Sequence, residues 1–200
     1  MRDQTIGQYL AELADRIPAP GGGAAAALHA AQGASLIAMV ARYSDGARYD
    51  ATLMERVTAA ADSLRERSLS LAVADAEAYE AVVAAYQVPK TDPARPALIA
   101  SALAEAARPP ADLVEVAARL VSLAQELVPS ANRNLIADVA AAASAATAAA
   151  VTARVNIEVN LRGIADAPVA DALRATAARV DDIVARADQV LAAVRAEITP

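Results

Sequence analysis

Alanine constrains the fold of this chain more than any other feature, because 59 of its 200 residues are alanine. Alanine is the best helix former and a poor strand residue, so this composition favours helices and argues against a β-sandwich or barrel. Aromatic residues make up only 2% of the chain, and there is no Phe or Trp. We therefore predict an all-α protein whose helices, separated by small side chains, approach one another closely.

The length of the chain is enough for one sizeable domain and too short for two, so we assign residues 1–200 to a single multi-helix bundle. Apolar periodicity, with prolines and glycines as breaks, predicts seven helices, over residues 5–17, 24–43, 47–87, 96–108, 111–128, 135–161 and 169–198. No linker and no internal repeat separates these segments.

The third segment, residues 47–87, contains no Pro or Gly and predicts one very long helix or two collinear ones. At 1.5 Å per residue such a helix reaches roughly 60 Å, whereas a compact domain of this size is only about 43 Å across. The part of the helix that extends beyond one domain needs a partner to pack against, which predicts an intertwined homodimer. A bend within the helix is the alternative.

Composition argues against several classes of function. The formal charge is −6, and no block of Lys or Arg marks a nucleic-acid surface. The chain has no Cys and a single His, which argues against a thiolate nucleophile and against Cys- or His-ligated metal sites. The N-terminus lacks a signal-peptide pattern, and the alanine-rich stretch over 139–153 is too short to cross a membrane, so we expect a cytoplasmic protein.

Asp75 is the most informative polar residue. On the predicted long helix it shares a face with Leu71, Tyr79, Val82 and Tyr86. Burial disfavours the charged form of a carboxyl group, so Asp75 could hold a proton near neutral pH and act as a general acid or base. A buried structural carboxylate paired with an arginine is the alternative.

Two further segments carry candidate binding groups. Gly21, Gly22 and Gly23 either offer backbone N–H groups at the positive end of the next helix or simply form a turn that lets two helices touch. Lys90 is the only lysine among 18 basic residues, and Arg95 follows it in the same loop. A compact ammonium beside a guanidinium could hold a carboxylate group of a ligand.

Polar residues also mark both ends of the sixth predicted helix. Asn134, Asp138, Asn156 and Asn160 share one face of it, but Asp138 and Asn156 are separated by roughly 27 Å along the helix. The two ends therefore either serve different sites or meet neighbours across a subunit interface.

Five segments together resemble the cyclodeaminase/cyclohydrolase family, which comprises the C-terminal domain of formiminotransferase-cyclodeaminase and free-standing bacterial methenyltetrahydrofolate cyclohydrolases. They are PGGG at 20–23, DAEAY at 75–79, PK at 89–90 with Arg95 downstream, NRNLIAD at 132–138 and NIEVNL at 156–161. The resemblance covers nearly the whole chain. Each segment alone is weak, but their order and spacing are specific.

The resemblance implies an all-helical dimer that acts, without a metal or redox cofactor, on tetrahydrofolate carrying a one-carbon unit. Family members either close 5-formiminotetrahydrofolate to 5,10-methenyltetrahydrofolate with loss of ammonia, or hydrolyse the methenyl form to 10-formyltetrahydrofolate. The catalytic aspartate of the family falls on Asp75.

Substrate binding in this family implies a set of further roles. We hypothesise that the folate pocket is shaped by Gly21, Gly22 and Gly23, and that Lys90 and Arg95 bind a substrate carboxylate or act through their charge. Hydrogen bonds to the pterin, or support for that wall of the pocket, would come from Asn132, Asn134 and Asp138. Alanine stands at positions 24, 131 and 137, where the family often has Ser or Gly. A non-catalytic folate-binding or scaffolding dimer of the same fold is therefore the alternative to an enzyme, and a plain helical interaction protein is a third.

Overall fold

The structure, a computed structural model, describes residues 4–198. This range contains eight α-helices: α1 (Ile6–Ala14), α2 (Gly22–Arg42), α3 (Ala51–Gln87), α4 (Arg95–Ala106), α5 (Arg108–Leu127), α6 (Ile136–Leu161), α7 (Ala167–Ala178) and α8 (Val180–Ile198). A short 3₁₀ turn over Arg133–Leu135 precedes α6. Residues 4–198 contain no β-strand, so the predicted all-α class is confirmed.

Local signals in the sequence start two of these helices. The Thr5 hydroxyl accepts the backbone N–H of Gln8, and the Gln8 side chain accepts the backbone N–H of Thr5, which completes a capping box at α1. Asp50 caps α3 by accepting the N–H of Leu53. From there α3 runs as one helix of 37 residues, rather than two collinear ones, over about 55 Å.

The prediction of a single helix over 169–198 is wrong, because two helices, α7 and α8, occupy that segment. Arg179 separates them. Its backbone N–H bonds to the carbonyl of Thr176, a tighter turn than the α-helix has, and its guanidinium pairs with Glu115 of α5. The segment contains no Pro or Gly, so no local signal in the sequence marked this break.

Small side chains allow the central helices α2, α5 and α6 to pack closely. A Cβ atom added to Gly33 of α2 would lie only 3.1 Å from the backbone oxygen of Ala142 in α6, which confirms the predicted close approach. By length and composition alone, α2 and the segment 133–161 could each cross a membrane. Here both contribute instead to the shared core of the bundle.

The packing of α3 places the candidate site. This helix packs against α2, α4 and α5, and its second half runs past the start of α2 and the end of α6. The second half of α3, the start of α2, the end of α6 and the end of α4 surround one cavity. The 3₁₀ turn lies at the other end of α6.

Candidate active site

An open cavity of about 870 Å³ lies where α2 begins and α6 ends. Its wall on α3 carries Asp75 together with the residues Tyr79 and Tyr86, which are 49% and 52% exposed. The predicted apolar face therefore borders this cavity from Asp75 to Tyr86, whereas Leu71, one turn before Asp75, is buried in the core. The polar and glycine residues that line the rest of the cavity are Gly21, Gly22, Gly23, Gln87, Asn156, Asn160, Arg162 and Gly163.

Asp75 lies against the first turn of α2. A Cβ atom added to Gly23 would stand 2.1 Å from Asp75 Oδ1, so a side chain at this position would displace the carboxyl group. Cβ atoms added to Gly21 or Gly22 would meet nothing within 4 Å. Of the three glycines, Gly23 is therefore the one on which the position of Asp75 depends.

The surroundings of Asp75 raise the affinity of its carboxyl group for a proton. Burial raises the pKa of the Asp75 carboxyl group, and the backbone N–H of Ala24, at the start of α2, opposes that rise only in part. The ion pairs among residues 4–198 do not include Asp75. The structure thus excludes an arginine partner within this range and leaves an aspartate that holds a proton more readily than usual.

Tyr9 of α1 is a second titratable group whose pKa is shifted, and Asp75 contributes to that shift. Burial and, to a smaller extent, the charge of Asp75 raise the pKa of the Tyr9 phenol. The Tyr9 hydroxyl is buried, and within the described part of the chain it has no hydrogen-bond partner. The sequence carried no signal for this residue, because nothing in it shows that α1 reaches Asp75.

Asn156 and Asn160 present amide groups from the end of α6. Asn160 Nδ2 donates to the Ala106 carbonyl at 3.2 Å, which ties α6 to the end of α4. Asn156 Nδ2 donates to the Thr152 carbonyl at 3.2 Å, one turn earlier on its own helix. Asn156 also borders a small void together with Asp75 and Gly23, so these three residues form one cluster.

Lys90 and Arg95 lie in and after the loop that follows α3, and neither lines the cavity. Arg95 Nε donates to the Val88 carbonyl at 2.9 Å, Arg95 Nη2 donates to the Tyr86 carbonyl at 3.2 Å, and the guanidinium stands 5.8 Å from the Tyr86 ring centre. Arg95 thereby fixes the end of α3. The predicted binding of a substrate carboxylate by Lys90 and Arg95 stays a prediction.

Asn132, Asn134 and Asp138 lie at the opposite end of α6, and within one chain they do not meet Asp75. Asn132 and Asn134 line a separate cavity of about 450 Å³. Asn132 Oδ1 accepts the N–H of Asn134, and Asn132 Nδ2 donates to the Tyr43 carbonyl at 3.1 Å. Substrate binding by these three residues stays a prediction, and one that needs a second subunit to bring them to the cavity.

The charge of the cavity is simple. Of the described residues that line it, Asp75 has the carboxyl group and Arg162 has the guanidinium group. Sequence reasoning missed Arg162, although its place directly after the NIEVNL segment could have marked it. Within residues 4–198, no three His, Cys, Asp or Glu side chains are grouped as metal ligands would be.

Known proteins show the same combination of sequence and fold. The profile of the formiminotransferase-cyclodeaminase family matches residues 5–179. The methenyltetrahydrofolate cyclohydrolase of Methylorubrum extorquens is 34% identical over 176 residues, which cover 84% of this chain and 85% of that protein. The formimidoyltransferase-cyclodeaminase of Rattus norvegicus is 31% identical over 172 residues, which cover 82% of this chain but only 32% of the rat protein.

A solved structure extends this similarity to the whole fold. The formiminotetrahydrofolate cyclodeaminase of Thermotoga maritima matches with a TM-score of 0.90 and 26% sequence identity, and the match covers 99% of each chain. The resemblance found in the motifs is thereby confirmed. This chain belongs to the formiminotransferase-cyclodeaminase family.

Proposed function

We propose that this protein is a cytoplasmic tetrahydrofolate enzyme that interconverts 5,10-methenyltetrahydrofolate with 5-formiminotetrahydrofolate or with 10-formyltetrahydrofolate. Asp75 would be its general acid and base. One observation carries the proposal: Asp75 has a raised pKa, faces an open cavity and has no ion-pair partner among residues 4–198. The names of the relatives from M. extorquens and T. maritima support the substrate class.

The size and lining of the cavity agree with a folate. Ligand sites of about 300–1,000 Å³ are typical for small molecules, and this cavity measures about 870 Å³. Tyr79, Tyr86 and Val83 supply aromatic and apolar surface for flat rings. Asn156 and Asn160 supply amide groups that can pair with the polar edge of a pterin.

In the cyclodeaminase direction N10 attacks the formimino carbon and forms a tetrahedral carbon between N5 and N10. The formimino group reacts as its cation, so this carbon carries an –NH2 group and N10 carries the positive charge and a proton. A protonated Asp75 gives its proton to the –NH2 group and, once ionised, removes the proton from N10. The C–N bond to the former imino nitrogen then breaks, which releases NH3 and leaves the methenyl cation. The raised pKa of Asp75 supports this order, because the carboxyl group must start in its acid form.

In the cyclohydrolase direction water attacks the methenyl carbon. An ionised Asp75 accepts a proton from that water and stabilises the cationic substrate through its charge. Asp75 then returns this proton to N5 as the bond between the carbon and N5 breaks, and the hydroxyl proton passes to solvent, which leaves the formyl group on N10. Neither direction changes the oxidation state of the one-carbon unit, so we propose that the reaction needs no redox cofactor. That it needs no metal stays a prediction.

The absorbance of the methenyl chromophore tests the proposal in two reactions with purified protein. Enzyme-dependent loss of 5,10-methenyltetrahydrofolate identifies a cyclohydrolase. Its enzyme-dependent formation from 5-formiminotetrahydrofolate identifies a cyclodeaminase. If neither rate exceeds the protein-free blank, the proposal is wrong, and a folate-binding module without turnover is the account to pursue.

We also propose that the chain forms a homodimer. The roughly 55 Å length of α3 exceeds the 43 Å or so expected for a compact domain of this size. Val155 and Val159 of α6, beside the open cavity, remain 51% and 56% exposed in the single chain. A second copy would cover such surface. Light scattering should give twice the chain mass of 20.4 kDa, and a monomer at assay concentration would contradict the proposal.

A further inference from the structure

The charges of the cavity are separated along α6. Asp75 clusters with Asn156, whereas Arg162 lies six residues further along the chain, where α6 ends. That distance corresponds to about 9 Å along the helix axis. One end of the cavity is therefore acidic and partly buried, and the other is basic and exposed.

Arg162 differs from the arginines around it in having no carboxylate partner among residues 4–198. By contrast, Arg154, eight residues earlier on α6, pairs with Asp181, and Arg179 pairs with Glu115. The backbone N–H of Arg162 bonds to the Asn160 carbonyl at the end of α6, but its guanidinium has no such bond within the described residues. This leaves its five donors available to a ligand.

We infer that Arg162 binds the carboxylate of the glutamate tail of the folate substrate and so determines the preference for glutamylated folates. The inference rests on the proposed function. When the carbon between N5 and N10 lies at Asp75, the benzoyl ring attached to N10 directs the amide-linked glutamate away from the acid. Arg162 is the cation that lines the cavity in the described part of the chain, and a guanidinium pairs with a carboxylate through two parallel hydrogen bonds.

The other two candidate cations fit this role less well. Both Nε and Nη2 of Arg95 are engaged by backbone carbonyls after α3. Lys90 is exposed and does not line the cavity. The favourable position of a cation at the C-terminus of α6 is a structural reason for Arg162 to be basic, so the test must separate ligand binding from helix stability.

The test measures binding calorimetrically with two stable ligands, 5-formyltetrahydrofolate and 5-formyltetrahydropteroate, which lacks the glutamate. We expect Arg162→Gln to weaken binding of the folate about five- to tenfold and to leave binding of the pteroate unchanged, as for a charge-assisted hydrogen bond at an exposed rim. Arg162→Lys should restore part of the loss. The matched control is Arg119→Gln, which removes an exposed arginine away from the cavity and should change neither affinity.

Four results would overturn the inference. Two of them concern Arg162→Gln: it weakens binding of both ligands equally, or it weakens binding of neither. The other two are a wild-type affinity that is the same with and without the glutamate, and a preference for the glutamate that is lost in Lys90→Gln instead. Failure of the proposed function is a different result, because it appears as absent turnover of the methenyl compound. A protein that binds folate through Arg162 without turnover would keep this inference and refute the activity, whereas wild type that binds no folate would refute both.

Discussion

The two ends of α6 carry similar polar residues but differ in the groups beside them. Asparagine amides bond to backbone groups at both ends: Asn156 and Asn160 bond to Thr152 and Ala106, and Asn132 bonds to Asn134 and Tyr43. Both ends also border a cavity. The carboxyl group with a raised pKa, Asp75, lies at the C-terminal end, and this group makes that end the candidate active site.

Gly23→Ala should have the largest effect on the Asp75 end. The added Cβ would overlap the Asp75 carboxyl group, and a displacement of about 1 Å at a reacting group can cost roughly 100-fold in rate. We expect kcat/KM to fall by about that factor. Gly22→Ala is the matched control, since its Cβ meets nothing within 4 Å. Equal activities in the two variants would show that the contact between Gly23 and Asp75 is not needed.

Asn156→Ala and Asn132→Ala compare the two ends directly. Asn156→Ala should lower kcat/KM about tenfold by removing a cavity amide, with little change in stability. Asn132→Ala should lower the free energy of unfolding by about 1 kcal/mol, because it removes a cap and a bond to Tyr43. Urea unfolding and steady-state kinetics measure both. If Asn132→Ala impairs kcat/KM as strongly as Asn156→Ala does, the two ends meet across a subunit interface, which is one of the two alternatives that the sequence leaves open.

Asp75→Asn should stabilise the protein in a pH-dependent way. Because burial raises the folded-state pKa of Asp75, the folded protein binds a proton between the unfolded and the folded pKa, and it loses stability as the pH rises through that window. Asparagine cannot ionise. At pH 8 the variant should therefore have a larger free energy of unfolding than wild type. This difference in free energy of unfolding should shrink as the pH falls towards about 4.

Urea unfolding at several pH values measures this difference in free energy of unfolding. The exposed Glu77→Gln, two residues along α3, controls for the loss of one negative charge. If the difference in free energy of unfolding between wild type and Asp75→Asn does not vary with pH, Asp75 titrates like an ordinary surface aspartate.

Tyr9→Phe should have the smallest effect. It removes a buried hydroxyl that has no hydrogen-bond partner within residues 4–198 and keeps the ring that fills the site. The free energy of unfolding should stay the same or rise by up to about 1 kcal/mol. Tyr43→Phe, at an exposed tyrosine, is the control. A marked loss of stability in Tyr9→Phe would show that the hydroxyl has a partner, such as a water or a second subunit.

Much of this architecture could be predicted because its causes are local. An uninterrupted helical period over 47–87 predicted α3, and the same period placed Asp75 on the face that borders the cavity. The break at Arg179 could not be predicted, since it depends on a turn without Pro or Gly and on a contact with Glu115 of another helix. Local pattern carries no information on such tertiary contacts.

The candidate site was predictable only in part for the same reason. The family motifs order Asn132 and Asn156 along the chain, but the helix between them keeps them apart within one subunit. Arg162 and Tyr9 join the site through packing between helices that lie far apart in sequence. The periodicity that identified Asp75 acts within one helix and does not show which other helices surround it.

The most direct test of the central claim, that Asp75 is the acid and base of a folate reaction, is the turnover of Asp75→Asn beside wild type. Binding of 5-formyltetrahydrofolate should be measured on the same samples. The account predicts that kcat falls at least about 100-fold, the lower range for loss of a general acid/base, while the dissociation constant stays within a few-fold of wild type. Turnover by Asp75→Asn at a rate close to that of wild type would contradict it.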